Sequence, residues 1–142
     1  MIRRFISPDF NKNTADWALL ILRVGISLLM LRYGFTKFNK ILTSDFGFAD
    51  PIGLGEKTSL FLAVFAEFFC SILLILGLFT RAALVPLITT MLIAFFIIHK
   101  NDDFNMREHP LVFLLPYITI WLMGAGVFRS IKSFLNKKIE LN

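Results

Sequence analysis

Residues 59–79 read SLFLAVFAEFFCSILLILGLF and contain one carboxyl side chain, Glu67, in an otherwise apolar or weakly polar run. About 20 such residues in a helix cross the hydrocarbon layer of a membrane. A strand of a membrane barrel would alternate polar and apolar residues, whereas ILLIL at 72–76 is continuously apolar. The stretch therefore predicts a membrane-spanning helix with a carboxyl group inside it.

Three further apolar stretches of similar length flank this one. They cover residues 17–38, 82–99 and 110–128. The chain of 142 residues is 56% hydrophobic and contains 17 Phe, and its mean hydropathy of +0.71 exceeds that of an ordinary soluble domain. We therefore predict an all-α fold, an integral membrane four-helix antiparallel bundle over residues 17–128.

Basic residues predict how this bundle is oriented. With four spans, the segments 1–16 and 129–142 and a short turn at Thr80–Arg81 lie on one side of the membrane. That side would carry Arg3, Arg4, Lys12, Arg81, Arg129, Lys132, Lys137 and Lys138, and the other Lys37, Lys40, Lys57, Lys100 and Arg107. Because short cytoplasmic segments are enriched in Lys and Arg, we predict an inner (cell) membrane protein with cytoplasmic N- and C-termini.

The net charge of +5 also follows largely from the basic flanks. Basic segments beside a membrane are attracted to anionic lipid head groups. The expected partner of this charge is therefore the lipid bilayer, and we predict no nucleic-acid binding.

Three ionisable side chains lie inside the predicted spans: Arg23, Arg32 and Glu67. An unpaired ion in the hydrocarbon layer costs several kcal/mol, so such residues usually pair and face the protein interior. At about 100° per residue, Arg23 shares a stripe with the small residues Ser27 and Gly34, and Arg32 points nearly opposite. We expect Glu67 to be neutralised by arginine within the bundle.

Further titratable side chains lie toward the predicted non-cytoplasmic ends of the spans. They are Tyr33, Lys37, His99, Glu108 and His109. Each one alone is explained by an anchoring or helix-end role at the membrane surface. Together they predict a polar site near that surface. The spacing of the two histidines matches no metal signature, and the sequence has no haem or nucleotide signature either.

The order of several short motifs resembles the DoxX family of small four-helix membrane proteins. The matching pieces are Leu22–Gly25, Gly34–Phe38, Ala66–Glu67, Gly77–Arg81, His99, Glu108 and Gly124–Gly126. Tyr33 stands where the family usually has histidine, and Cys70–Ser71 replaces a pair of small glycines after the glutamate. Tyrosine can still donate a hydrogen bond or a proton.

The resemblance implies a membrane subunit of a quinone-linked oxidoreductase, or a small protein associated with one. Quinone is then the expected cofactor, and other subunits of a redox complex are the expected partners. Reduction of a quinone needs proton donors and positive charge near its oxygens. We assign Glu67, Tyr33 and His99 as catalytic proton carriers. We assign Arg23, Arg32, Lys37 and Glu108 to substrate binding.

Two other functions fit the same residues. The bundle could be a non-catalytic assembly or anchoring subunit that holds an outer enzyme through the loop at residues 39–58. It could also carry protons or small ions, since it has charges within the membrane. Against a carrier, the sequence shows no evident polar stripe that continues inward past Arg23.

Overall fold

A computed structural model describes residues 11–124 and 126, and within this part of the chain the regular structure is entirely helical. We number the helices α1 (Lys12–Leu42), α2 (Glu56–Leu76), α3 (Thr80–Ile98) and α4 (Phe104–Met123). Helices α2 and α3 each contain one wide π-helical turn, at Phe65–Phe69 and Ala94–Ile98. Most of the predicted flanks, 1–16 and 129–142, and the end of the predicted fourth span lie outside the described residues.

Helices α1, α2 and α3 are long and apolar enough to cross a membrane. Helix α4 is less apolar because its first two turns contain Asn105, Arg107, Glu108 and His109. Each of the four predicted spans overlaps one helix. All four helices begin earlier than the apolar stretches, and α1 does so at Asn11, whose side chain accepts a hydrogen bond from the N–H of Asn13.

The turn between α2 and α3 lies at residues 77–79 and not at Thr80–Arg81, which are the first residues of α3. Gly77 adopts the left-handed conformation, with φ 70°, and its N–H bonds to the carbonyl of Leu74. Glycine ends helices in this conformation at little steric cost. The prediction was wrong here because the apolar run continues through Leu78 and Phe79 after the helix has ended.

Neighbouring helices contact each other in the order α1, α2, α3, α4 and back to α1. We call the end with the 77–79 turn the turn end, and the opposite end, with residues 43–55 and 99–103, the loop end. The core between the helices includes four side chains with no exposed surface: Leu74, Leu84, Leu87 and Ile120. Many large apolar side chains on the outside of the helices are exposed.

Helices α2 and α3 pack closely only in part. Residues 70–76 of α2 and its π-helical turn contact α3, whereas residues 56–64 make few contacts with it. The two helices therefore diverge toward the loop end. This divergence opens a cavity between them, and four of the predicted site residues lie on its walls.

The loop at residues 43–55 is fixed over this cavity by Asp50. Its carboxylate accepts hydrogen bonds from the N–H groups of Leu54 (3.0 Å) and Gly55 (2.9 Å) and from the Ser59 hydroxyl (2.9 Å). The Gly55 N–H, helped by Ser59 and Leu54, holds the pKa of the Asp50 carboxyl below its ordinary value. The carboxylate thereby connects the loop to the start of α2.

We expect this connection to weaken at low pH. A lowered folded-state pKa means that Asp50 stabilises the loop above the ordinary aspartate pKa of about 3.9, and that this stabilisation is lost as the pH falls through the lower folded value. Hydrogen exchange of the Leu54 and Gly55 amides should therefore be slow at pH 7 and faster in Asp50→Ala. The control Asp45→Ala, which removes a bond to Gly47 and a 3.7 Å contact with Lys40 but no bond to Leu54 or Gly55, should leave those two amides protected. Equal exchange in wild type and Asp50→Ala would contradict this role.

Candidate functional site

Glu67 and Lys37 form an ion pair at the centre of the candidate site. The Lys37 Nζ atom lies 2.5 Å from each oxygen of the Glu67 carboxylate. The glutamate side chain is 2% exposed and the lysine side chain is 26% exposed. The pair therefore links α1 to the π-helical turn of α2 in a largely buried position.

A close contact between helix backbones explains why lysine reaches the glutamate. A Cβ atom placed on Gly34 would lie 2.6 Å from the Glu67 carbonyl carbon and 2.7 Å from its oxygen. Side chains on a helix lean toward its N-terminus. Lys37, one turn after Gly34, therefore leans back toward the level at which Gly34 touches Glu67.

The structure thus gives Glu67 a lysine partner, whereas the sequence analysis expected an arginine. Arg23 is buried, at 3% exposure, but lies about three helical turns from Gly34 toward the turn end. Arg32 lies on the exposed face of α1. The sequence estimate took Phe38 as the end of the span, which placed Lys37 at the surface. Helix α1 instead continues to Leu42, so Lys37 lies inside it.

A cavity of about 550 Å³ adjoins this ion pair. Its polar wall contains Tyr33, Lys37, Glu67, His99 and His109. Four of the seven predicted site residues therefore meet on one cavity: Tyr33, Lys37, Glu67 and His99.

The other three predicted site residues, Arg23, Arg32 and Glu108, do not line the cavity. Glu108 is exposed, and the next residue, His109, reaches the wall instead. Both lie in the second turn of α4, because this helix begins at Phe104 and not at Pro110.

Aromatic contacts position two of the polar groups. The rings of Tyr33 and His109 meet edge to face, with centroids 4.9 Å apart. Phe113 lies 5.9 Å from Tyr33 and 5.2 Å from His109, measured between ring centroids. Edge-to-face contacts of this kind fix ring orientation. They place the tyrosine and the histidine side by side on the wall formed by α1 and α4.

Asp102 is a further candidate that the sequence analysis missed. Its carboxylate oxygen lies 2.6 Å from Nδ1 of His99. This contact fixes the ring and leaves Nε2 of His99 as the atom that can face a ligand. The spacing of three residues between His99 and Asp102, at the end of a helix, was the available signal. Within residues 11–124 and 126, no three His, Cys, Asp or Glu side chains group as metal ligands.

The remaining cavity wall is apolar and comes mostly from α2 and α3. Leu62, Phe65, Val85 and Ile98 line it and are also exposed on the outside of the protein, at 40% to 52% of their surface. Both π-helical turns contribute lining residues. Such turns occur often at functional sites. These residues form an apolar opening of the cavity between α2 and α3.

Comparison with known proteins gives one family. The DoxX family model matches residues 18–100. An uncharacterized protein of Haemophilus influenzae is 32% identical over 126 residues, which cover 84% of this chain and 92% of that protein. No solved structure matches the chain. DoxX is a membrane family often linked to oxidoreductase-related functions.

The family match covers Gly34, Lys37, Glu67 and His99, so it includes the residues that form the ion pair and most of the cavity. It also covers more than half of the chain, most of α1, all of α2 and α3, and both π-helical turns. The chain belongs to the DoxX family.

Proposed function

We propose that the chain is an integral protein of the inner membrane, an antiparallel four-helix bundle with both termini in the cytoplasm. The support is the three long apolar helices, the family, and the short connections at 77–79 and 99–103 that reverse the chain direction. The eight basic residues predicted on the side of the termini, against five on the other, favour this orientation. The loop end with its cavity then faces away from the cytoplasm.

We further propose that the cavity binds the head group of a quinone, and that the protein is a membrane subunit of, or an associate of, a quinone-linked oxidoreductase. The single observation that carries this proposal is the cavity itself. A volume of about 550 Å³ suits a small organic ligand. One wall offers hydrogen-bond donors and the other walls are apolar, which matches a flat ring with oxygens at its edge.

The polar residues supply what such a ligand needs. A bound quinone would provide a two-electron, two-proton acceptor. The Lys37 ammonium group donates hydrogen bonds and positive charge toward ligand oxygens. Glu67 holds that ammonium group in place and can accept a proton at its carboxylate. His99, fixed by Asp102, and Tyr33, fixed by His109, can each donate or return a proton at Nε2 and at the phenol oxygen.

Two hydroxyl groups on the cavity wall do not serve as ligand donors. Thr89 and Thr90 donate their hydroxyl protons to the carbonyls of Val85 and Pro86, at 2.8 Å in each case. The donors therefore concentrate on the side with Lys37 and the histidines. A ring would lie with its oxygens toward that side and its substituents toward the opening between α2 and α3.

The electrons for such a reaction would come from a partner. The sequence has no haem, iron–sulfur or nucleotide signature. A second subunit or a soluble substrate at the outer surface is therefore part of this proposal. The loop at 43–55, which covers the cavity at that surface, is the natural place for such a partner to act.

The proposal is tested by titrating a short-chain quinone into the purified protein in lipid nanodiscs. We expect saturable binding to wild type, and at least about tenfold weaker binding to Lys37→Met, because a hydrogen bond from a charged donor contributes about 1.5–3 kcal/mol. Lys40→Met is the matched control, since Lys40 contacts Gly47 and Asp45 outside the cavity. Absence of saturable binding to folded wild type would reject the proposal and favour the assembly role.

A further inference from the structure

Four hydroxyl groups are buried between the helices without a hydrogen-bond partner among the described residues. They belong to Ser27, Ser71, Thr80 and Tyr117. Three of these side chains have no exposed surface, and Thr80 is 5% exposed. Buried polar groups in proteins are nearly always hydrogen-bonded, and leaving one unpaired costs about 1–3 kcal/mol. These hydroxyls therefore need partners beyond the described side chains and backbone.

Other hydroxyl groups show that a hydroxyl within a helix can be paired by a backbone carbonyl of its own helix. Thr89, Thr90 and Thr119 each donate to the carbonyl one turn earlier in their own helix, at 2.8 to 2.9 Å. Ser27 and Ser71 make no such bond although both lie inside helices. Their hydroxyls are therefore available for contacts between helices.

The four hydroxyls continue from the ion pair toward the turn end. Ser71 follows Glu67 by four residues, about 6 Å further along α2. Ser27 precedes Gly34 by seven residues, and because Gly34 touches Glu67, Ser27 lies about 10 Å from the Glu67 level. Tyr117 is on α4, within electrostatic range of Glu67. Thr80 begins α3 at the turn end itself.

The levels of Glu67, Ser71 and Ser27 thus differ by about 4–6 Å in turn along the helices, which is within the reach of one bridging water molecule with two hydrogen bonds of about 2.8 Å. A water molecule in such a place needs two to four polar partners. Each hydroxyl can accept one hydrogen bond and donate another. Arg23, one turn beyond Ser27 on α1, adds a further buried polar side chain nearer the turn end.

We propose that bound water joins Ser71, Ser27, Tyr117 and Thr80 into a proton path from the cytoplasmic face to Glu67. A proton enters at the turn end, each hydroxyl or water passes on its own proton and receives another, and the Glu67 carboxylate accepts the last one to become a carboxylic acid. The path residues are unchanged after each transfer. This inference rests on the proposed function for the use of the proton and for the cytoplasmic position of its entry, and not for the groups along its route.

The path ends at Glu67, where Lys37 from α1 donates to both carboxylate oxygens, and Tyr117 from α4 and Ser71 from its own helix supply only hydroxyl groups. The ammonium group thus closes the path at the cavity end. Loss of Lys37 should leave Glu67 free to exchange protons with both the path and the cavity.

The hydration is tested on wild type in lipid bilayers by water-edited solid-state NMR. We expect magnetisation to pass from water to Ser27, Ser71 and Tyr117. Leu74, Leu84 and Ile120 are equally buried but apolar, and they should receive no magnetisation from water. If Ser27, Ser71 and Tyr117 receive no more magnetisation from water than Leu74 and Leu84 do, the water-filled path does not exist.

The proton transfer is tested in proteoliposomes under a potassium diffusion potential, without any quinone. We expect vesicles that contain Lys37→Met to take up protons, and vesicles that contain the wild type to show no more proton uptake than protein-free vesicles. Adding Ser71→Ala or Tyr117→Phe to Lys37→Met should return the flux to that of protein-free vesicles. Adding Thr119→Val, which removes a hydroxyl already bonded within α4, should leave the flux unchanged. A closed Lys37→Met variant, or equal flux in all variants, would overturn the path whether or not quinone binds.

Discussion

Replacing Glu67 by glutamine is expected to lower the free energy of unfolding by about 3 kcal/mol, because it leaves the Lys37 ammonium group without its anion in a largely buried position. Glutamine has nearly the shape of glutamate, so packing against the π-helical turn is kept and the loss reports on charge. The estimate is at the low end for buried pairs because Lys37 retains 26% of its surface. The measurement is unfolding by SDS in mixed micelles, followed by circular dichroism.

A double-mutant cycle isolates the interaction energy between Lys37 and Glu67 from their interactions with other residues. Lys37→Met alone should also destabilise the protein, since it leaves the carboxylate unpaired. The combination of Lys37→Met with Glu67→Gln should recover part of the loss, because neither charge then remains buried. If the two single effects simply add, Lys37 and Glu67 do not act as a pair.

Replacing Gly34 by alanine is expected to cost about 2 kcal/mol or more. The new Cβ would lie 2.6 Å from the backbone of Glu67, and backbone cannot move aside as a flexible side chain can. Overpacking of this kind costs about 1–3 kcal/mol. The shift of α1 would also carry Lys37 away from the carboxylate, so quinone binding should weaken together with stability.

Gly25 is the matched control for this substitution. It lies on the same helix, is exposed, and has nothing within 4 Å of the position of a new Cβ. Alanine is favoured over glycine inside a helix by about 0.5–1 kcal/mol. Gly25→Ala should therefore be neutral or stabilising in the same SDS titration. Equal destabilisation by both substitutions would show that the helix contact at Gly34 is not special.

The helical class and the interior position of Glu67 could be predicted from the sequence. Long apolar runs without alternation predict helices, and the cost of a charge in lipid predicts that Glu67 faces the protein. The regular structure of the described residues is entirely helical, and Glu67 is 2% exposed. The family could also be predicted, because the glycines, the glutamate and His99 keep a fixed order along the chain.

The partner of Glu67 could not be predicted from depth along the helices. Depth treats each residue as a point on its helix axis, whereas the long side chain of Lys37 leans back by about a turn toward Gly34. The two π-helical turns are also invisible in the hydropathy pattern, yet they set which faces of α2 and α3 line the cavity. The pairing of His99 with Asp102 depends on how α3 ends, which apolar periodicity does not report.

The most direct test of quinone binding in the cavity is photoaffinity labelling of the wild-type protein in lipid bilayers with an azidoquinone, followed by peptide mapping. The account predicts labels on the cavity-lining residues within segments 59–67 and 93–99, such as Leu62, Phe65 and Ile98, and their loss when excess unlabelled quinone is added. Labels confined to outward-facing residues such as Leu28, Leu29 and Leu122, or labels that excess quinone does not reduce, would contradict it.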